Sequence, residues 1–447
     1  MNKLNETEIK EASWSGDREF PYEGAPAPAA PAGGACESVR SSSLLSSVAS
    51  SSSSSSSPRP RKAAYVATVY SHLAAFHLPF MDDLRQAGFE VHAYAARDER
   101  REDVELAGFE CRDLPFSRNP VDPGNFKAWL GMYRLLRQEG YEVVHVHTPN
   151  AGFITRLAAI AAGTGNVFYT AHGFHFFQGA PLLNWLIYYP LERLAARWTD
   201  VLITINGEDF DRASRFKVRG RVVRMPGVGV EAPDNGGRDT VEKEALMQEL
   251  QIPADAFILL CMAELNGNKN QAQLLHAVQR LRKDGIPVCC LIAGAGSYEE
   301  RYKKLAEELE IQESVRFLGF RKDGTRLMAA SDVVVLLSRR EGLPKVLLEA
   351  LGSGKPAVVT DVRGCRDLVT EGFNGFRVAP GDVNGTVRAL GKLYDNPDLL
   401  RRMGAAARSF YETYRLEKVR GLMKELYQSS RNPGLNRGSI KSREGRI

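Results

Sequence analysis

Short β-branched apolar runs alternate with helix-patterned stretches along this chain, and the alternation occurs twice. In its first round Ala63–Val69, Glu90–Ala95, Val143–His147, Val167–Thr170, Val201–Ile205 and Val222–Met225 read as strands. Helices are expected between them over Leu73–Ala87, Asn125–Gln138, Ala151–Ala161 and Leu182–Trp198. A turn-rich break follows, with Pro226-Gly227-Val228-Gly229 and then Pro233-Asp234-Asn235-Gly236-Gly237. The second round reads as strands at Phe257–Met262, Val288–Ala293, Val315–Phe317, Val333–Leu337, Ala357–Thr360 and Gly375–Val378. Parallel neighbours need a crossover, and a helix is the usual one, so each round implies an α/β layer with a parallel sheet covered on both faces. Two such Rossmann-like units facing a cleft are expected, with ligands beyond the carboxyl ends of the strands.

Composition sets the limits of that body. Thirteen of the seventeen residues from Ser41 to Ser57 are serine, after a Pro/Ala/Gly run from Gly24 to Ala35, and no packed core is built from such a segment. The expected organisation is a disordered low-complexity leader over 1–62, an N-terminal Rossmann-like domain over 63–226 and a C-terminal Rossmann-like domain over 227–414. A terminal helix over 415–430 is expected to dock back on the N-terminal domain, followed by a basic flexible tail over 431–447. That tail holds Arg431, Arg437, Lys441, Arg443 and Arg446 against Glu444, so it supplies most of the formal charge of +5. The remainder is nearly neutral, which argues against nucleic acid as a partner. The six cysteines form no C-x-x-C pair, and Cys261, Cys289 and Cys290 fall in apolar strand runs, so neither a zinc site nor a disulfide framework is expected. The first thirty residues lack a secretory pattern, and no run of eighteen apolar residues occurs, so a cytoplasmic location is expected.

The stretch from Ser338 through Glu341, Pro344 and Glu349 to Gly354 carries the chemistry. It leaves a strand, turns at Glu341-Gly342 and opens a helix near Pro344. A carboxylate near a helix start has a bland electrostatic explanation, which covers Glu341. Glu349 lies between Leu348 and Ala350 in an otherwise apolar helix and needs a partner. Two such acids suit a polyhydroxylated ligand, and the backbone N–H groups at Gly342 and Leu343 suit a phosphate.

This segment resembles the E-x7-E signature of the retaining glycosyltransferases of family 4, whose fold is the two-Rossmann GT-B arrangement. Ile292-Ala-Gly294-Ala-Gly296, Arg316-Phe-Leu-Gly319-Phe, Ala330-Ser-Asp332-Val-Val, Thr360-Asp-Val-Arg-Gly364-Cys-Arg366 and Gly372-Phe-Asn-Gly375 continue the similarity in order. By that resemblance Glu349 holds the ribose hydroxyls of a nucleotide-sugar donor, and Glu341 contacts the donor sugar. Lys269, in Ala263-Glu264-Leu-Asn-Gly-Asn-Lys269-Asn270, binds the diphosphate. A solvated lysine would sit badly at a helix start on dipole grounds, so a bound anion is the better account of it. Gly342, Leu343 and Arg366 add to the phosphate site. His172, in Thr170-Ala-His172-Gly173-Phe-His175, takes the position of the family histidine that reaches the reacting sugar. His175 is expected to support it and His147 to be packed. No cofactor or metal is implied, and retention would follow a front-face, substrate-assisted route.

Two departures bear on specificity. Relatives carry arginine where this chain has Glu264, and the Ala-Glu-Leu-Asn pattern resembles a subgroup of capsular and exopolysaccharide assembly. The first strand–helix turn reads Tyr70-Ser-His72-Leu-Ala-Ala-Phe-His77-Leu-Pro79 instead of a Gly-Gly loop, making His72 and His77 candidate acceptor contacts. Five residues apart, they share no helical face and form a poor metal pair. The aromatic stretch Phe176–Leu191 reads as a helix packed on the sheet. Its alternative is an interfacial surface with Trp and Tyr at the headgroup level, aided by the basic run Arg212–Arg224. The expected partners are a nucleotide-sugar donor, a glycan or polyprenyl-linked acceptor, and a peripheral contact with the inner face of the plasma membrane. Two alternatives remain open on sequence: a non-hydrolysing UDP-sugar epimerase of related fold, and a degenerate transferase acting as a scaffold subunit. A dehydrogenase is disfavoured, since no G-x-G-x-x-G follows the first strand.

Overall fold

A computed structural model describes residues 60–231 and 239–430. The serine-rich leader up to residue 59, most of the Pro/Gly break, Cys36 and the basic tail lie outside the described residues. The first sheet contains β1 (Arg61–Val69), β2 (Phe89–Ala96), β3 (Glu110–Asp113), β4 (Val143–His147), β5 (Val167–Ala171), β6 (Val201–Thr204) and β7 (Arg221–Arg224). The second contains β8 (Phe257–Met262), β9 (Val288–Ala293), β10 (Val315–Phe317), β11 (Val333–Leu336), β12 (Ala357–Thr360) and β13 (Gly375–Val378). All pairings are parallel, in the orders β3-β2-β1-β4-β5-β6-β7 and β10-β9-β8-β11-β12-β13. The order reverses beside the first strand of each sheet, leaving a crevice at the carboxyl ends. The fully buried strand β9 is apolar throughout, as a sheet covered on both faces requires.

Two elements differ from the sequence expectation. Strand β3, absent from the sequence expectation, reads Glu-Cys-Arg-Asp, a half-exposed edge strand with no apolar alternation to betray it. The single helix expected over Leu73–Ala87 is two, Tyr70–Phe76 and Leu78–Gln86, separated at His77 with φ −123° and ψ −9°. Pro79 has no N–H to continue the first helix, so the chain restarts with the N–H groups of Phe80 and Met81 donating to the His77 carbonyl, both at 3.0 Å.

Each sheet has an apolar core on either face. The helix Pro397–Tyr411 sends Met403, Ala407 and Tyr411 into the cores of the second sheet. The chain then crosses over, and helix Leu416–Ser429 buries Val419, Met423, Leu426 and Tyr427 on the first sheet. Its Arg420 and Lys424 reach the buried Asp83 at 2.5 and 3.0 Å, and the Tyr427 hydroxyl meets Tyr65 at 2.9 Å. The crossing runs beside the outgoing linker: Val230 N–H donates to Tyr414 O, and Leu416 N–H to Val230 O. Gly229 permits this approach at φ 70°, since a Cβ there would lie 2.7 Å from the Leu416 Cα. Among the described residues no helix is long and apolar enough to cross a membrane.

Candidate functional site

Residues from the two sheets meet where their carboxyl ends face each other. From the first come His147 at the end of β4 and His172 one residue past β5. From the second come the loop Asn266–Asn270 after β8, the loop Arg339–Leu343 after β11, and Arg363 after β12. A cavity of about 260 Å³ is lined from one side by His172, Gly173 and His175 and from the other by Asn268, Arg340, Glu341, Gly342 and Arg363. The approach is close enough to demand glycine, for a Cβ on Gly342 would sit 2.0 Å from the His172 carbonyl oxygen.

Glu341 and Lys269 are brought together. Lys269 Nζ donates to Glu341 Oε1 at 2.7 Å, so the carboxylate enters the cavity already neutralised. The loops that carry them are tied. Asn266 Oδ1 accepts from the N–H groups of Asn268 and Lys269, Arg339 N–H donates to Asn268 O, and Asn268 Nδ2 donates to Arg340 O. Glu264 is exposed and contributes only its backbone carbonyl, to Gln271 Nε2.

Glu349 lines a different and larger cleft of about 560 Å³. That cleft is shared with Phe76 and Pro79 of the first unit, Glu231, and Phe320, Arg321, Lys322 and Lys345 of the second. Burial pushes the Glu349 carboxyl above its ordinary range, opposed by Lys345, whose Nζ lies 3.6 Å away. The helix that carries Glu349 runs from Lys345 to Gly352 with Pro344 as its N-cap residue, in line with the opening expected near Pro344. Leu343 turns its side chain toward Gly227.

Arg366 does not line either cavity. Its Nε and Nη2 donate to Asp361 Oδ1 and O at 2.9 and 2.8 Å, and Glu208 lies 3.7 Å from its Nη1. The guanidinium at the junction belongs to Arg363, which donates to Glu341 O, Phe174 O and, at 2.8 Å, to Asp209 Oδ1. Asp209 is fully buried, and its other oxygen accepts from Phe174 N–H and Asn206 Nδ2. Asn206 caps helix Gly207–Ala213 and also donates to Gly342 O at 3.2 Å. A motif search cannot find this set, because its members come from opposite sides of the linker. The signal available was Arg363 directly before Gly364, within a stretch already matched.

The helix break at His77 overturns the expectation that His72 and His77 stand apart. Their Nε2 atoms are 3.3 Å apart, His77 stacks on His147 with centroids 3.7 Å apart, and His147 Nδ1 lies 3.4 Å from His172 Nε2. Burial lowers the pKa of all four, to about 4 for His72 with Arg118 contributing, so the rings are neutral near pH 7. His72, His77 and His172 bring ligand atoms within 4.8 Å of one another. Among the described residues no carboxylate is hydrogen-bonded to these rings, and the nearby charge is positive, which disfavours a cation there. The chain reaches this arrangement through Thr148 at φ 66°, whose hydroxyl oxygen accepts from Thr68 N–H at 3.1 Å. His175, which also lines the cavity, stacks on Tyr188 with ring centroids 4.6 Å apart.

Two parallel-sheet units with facing carboxyl-end loops define a GT-B glycosyltransferase, and comparison with known proteins agrees. The family described as glycosyl transferases group 1 matches residues 242–410, and the glycosyl transferase 4-like domain matches residues 78–227. The chain is 40% identical over 353 residues to EpsD of Bacillus subtilis (strain 168), covering 78% of this chain and 91% of that one. It therefore belongs to this glycosyltransferase family. It is 28% identical over 294 residues to the Escherichia coli UDP-Gal:alpha-D-GlcNAc-diphosphoundecaprenol alpha-1,3-galactosyltransferase, covering 64% of this chain and 73% of that one. The crystal structure of Anabaena HepE in complex with UDP superposes with a TM-score of 0.68 at 18% identity, covering 82% of this chain and all of that one. That likeness concerns the fold.

Proposed function

We propose that this glycosyltransferase moves a hexose or N-acetylhexosamine from a UDP-sugar to a lipid-linked glycan in cell-surface polysaccharide assembly, retaining the anomeric configuration. The observation that carries the reading is the cavity in which His172 of one unit faces the Lys269–Glu341 pair of the other. Glu349 accepts hydrogen bonds from the ribose in the larger cleft, and the diphosphate lies between the two acids. There Lys269 and the free N–H groups at the start of helix Lys345–Gly352 meet its charge. Glu341 then exchanges part of its lysine contact for sugar hydroxyls. As UDP leaves, negative charge develops on the β-phosphate, and Lys269 stabilises it without a metal ion. The neutral His172 accepts or donates a hydrogen bond at the sugar, held in place by His147, while His72 and His77 border the acceptor side. Arg363, at the wall of the cavity, and the buried Asp209 position both loops. In support, the E. coli relative takes UDP-galactose and a diphosphoundecaprenol acceptor by its name, and HepE was crystallised with UDP. This reading places the work at the cytoplasmic face of the membrane.

The test is a panel of nucleotide sugars assayed for nucleotide release with and without polyprenyl-diphosphate sugars. Acceptor-dependent release from a UDP-sugar is expected. Acceptor-free epimerisation of the donor would replace the reading with an epimerase, and inertness across the panel with a scaffold.

A further inference from the structure

Of the fourteen large apolar side chains exposed among the described residues, six lie on one helix, Leu182–Ala195. Leu182, Leu183 and Leu186 are 74%, 63% and 65% exposed, and Ile187, Leu191 and Leu194 complete the set. At about 100° per residue these six fall within one half of the helix circumference, and Arg193 shares it. The opposite half carries Trp185, Tyr188 and Tyr189, packed on the core of the first sheet, with Glu192 buried against Arg156 at 2.9 Å. The rings that the sequence offered for a headgroup belt therefore face inward, and the aliphatic side chains face out.

Cations flank this face. Arg193 and Arg197 are exposed at its carboxyl end. Arg215 and Lys217 are exposed on either side of Phe216, whose ring lies 5.6 Å from Tyr189 of the same helix. Among the described residues none of the four is in an ion pair, whereas Arg212 and Arg219 of the same basic run pair with Glu208 and Asp200. A patch that joins bare aliphatic side chains to unpaired cations matches an anionic bilayer surface, where hydrocarbon and phosphate are met together. It does not match its own copy, since a two-fold contact would set the cations against one another.

We propose that the outer face of helix Leu182–Ala195, with Arg193, Arg197, Arg215 and Lys217, seats this protein on an anionic lipid bilayer. The helix is joined to the candidate site: His175 stacks on Tyr188, Asn184 Nδ2 donates to His175 O at 3.0 Å, and His172 lies three residues earlier. A seated helix thus holds the acceptor side of the cavity near the membrane. This rests on the lipid-linked acceptor proposed above, but its test does not.

The test is co-sedimentation with phosphatidylglycerol–phosphatidylethanolamine vesicles and, separately, with phosphatidylcholine vesicles. The full chain should bind the anionic vesicles, more weakly at high salt. Leu183→Glu with Leu186→Glu should cut binding at least about ten-fold with an unchanged melting temperature, since both residues are already exposed. Arg215→Glu with Lys217→Glu should remove the preference for anionic over zwitterionic vesicles. Turnover of the leucine variant should fall on a vesicle-borne acceptor and persist on a short-chain soluble one. Absence of vesicle binding, or equal binding by the leucine variant, overturns the proposal. A dimer that the same variant dissociates, without vesicle binding, assigns the face to a second copy instead. Vesicle binding lost in the variant while no acceptor is ever glycosylated upholds the surface and removes the transferase reading.

Discussion

Lys269 holds Glu341 at 2.7 Å, and on the proposed reading its charge also meets the donor diphosphate. Lys269→Ala is therefore expected to lower kcat by about 10²–10³-fold in a nucleotide-release assay, the usual loss when one preorganised charge stabiliser is removed. On the proposed reading Glu349, in the other cleft, holds the ribose equally in the ground state and the transition state. Glu349→Ala should raise the donor KM about ten-fold or more with little change in kcat, as loss of hydrogen bonds to a charged group does. A collapse of kcat at constant KM would move Glu349 into the chemistry. Glu349 stands out in the sequence as an acid in an apolar helix, whereas Glu341 is singled out only by the E-x7-E resemblance. Arg363 was not legible there, because the case for it over Arg366 depends on where Phe174 and Asp209 lie, and those residues are more than 150 positions away.

At the scale of elements, the histidines at the ends of β4 and β5 and at the broken first helix form one buried unit. His72 and His145 have pKa values lowered to about 4 and about 3 by burial. They remain neutral in the folded protein while the unfolded chain takes up protons below its ordinary value of about 6.5. The sign follows: stability is fully present above pH 6.5 and declines as pH falls toward 4, by about 1.4 kcal/mol per unit for each ring that stays neutral. Melting temperatures should fall between pH 7 and pH 5, and a flat profile would contradict the burial of the cluster. The terminal helix offers a second measurement. Met423 is buried on the first sheet, so Met423→Ala should cost about 2–5 kcal/mol in chemical denaturation. Most elements were readable from hydrophobic period alone. The misses have physical causes: β3 is a half-exposed edge without alternation, and the break at His77 follows from the backbone donor that Pro79 lacks, which the apolar pattern of Leu73–Ala87 overrode.

Across the whole molecule, the two units are coupled by a buried charge. Arg363 and Asp209 pair at 2.8 Å with side chains 4% and 0% exposed, and Arg363 also holds the backbone on both sides of the junction. Arg363→Ala leaves Asp209 buried without its partner, and the expected loss is about 3–5 kcal/mol of stability together with a fall in turnover. A melting temperature unchanged from wild type would show that the units do not depend on this pair. The doubled sheet was legible because the alternation of strands and helices is a local signal repeated along the chain. The junction was not, since it is made of single residues that only the closed arrangement brings together. That arrangement leads to the central claim, sugar transfer in the cavity between His172 and Glu341. The direct measurement compares acceptor-dependent nucleotide release by the wild-type protein and by Glu341→Ala, each with its melting curve. A loss of at least about 10³-fold with the fold retained is expected. Turnover by a folded Glu341→Ala protein within a factor of about two of wild type would contradict the claim.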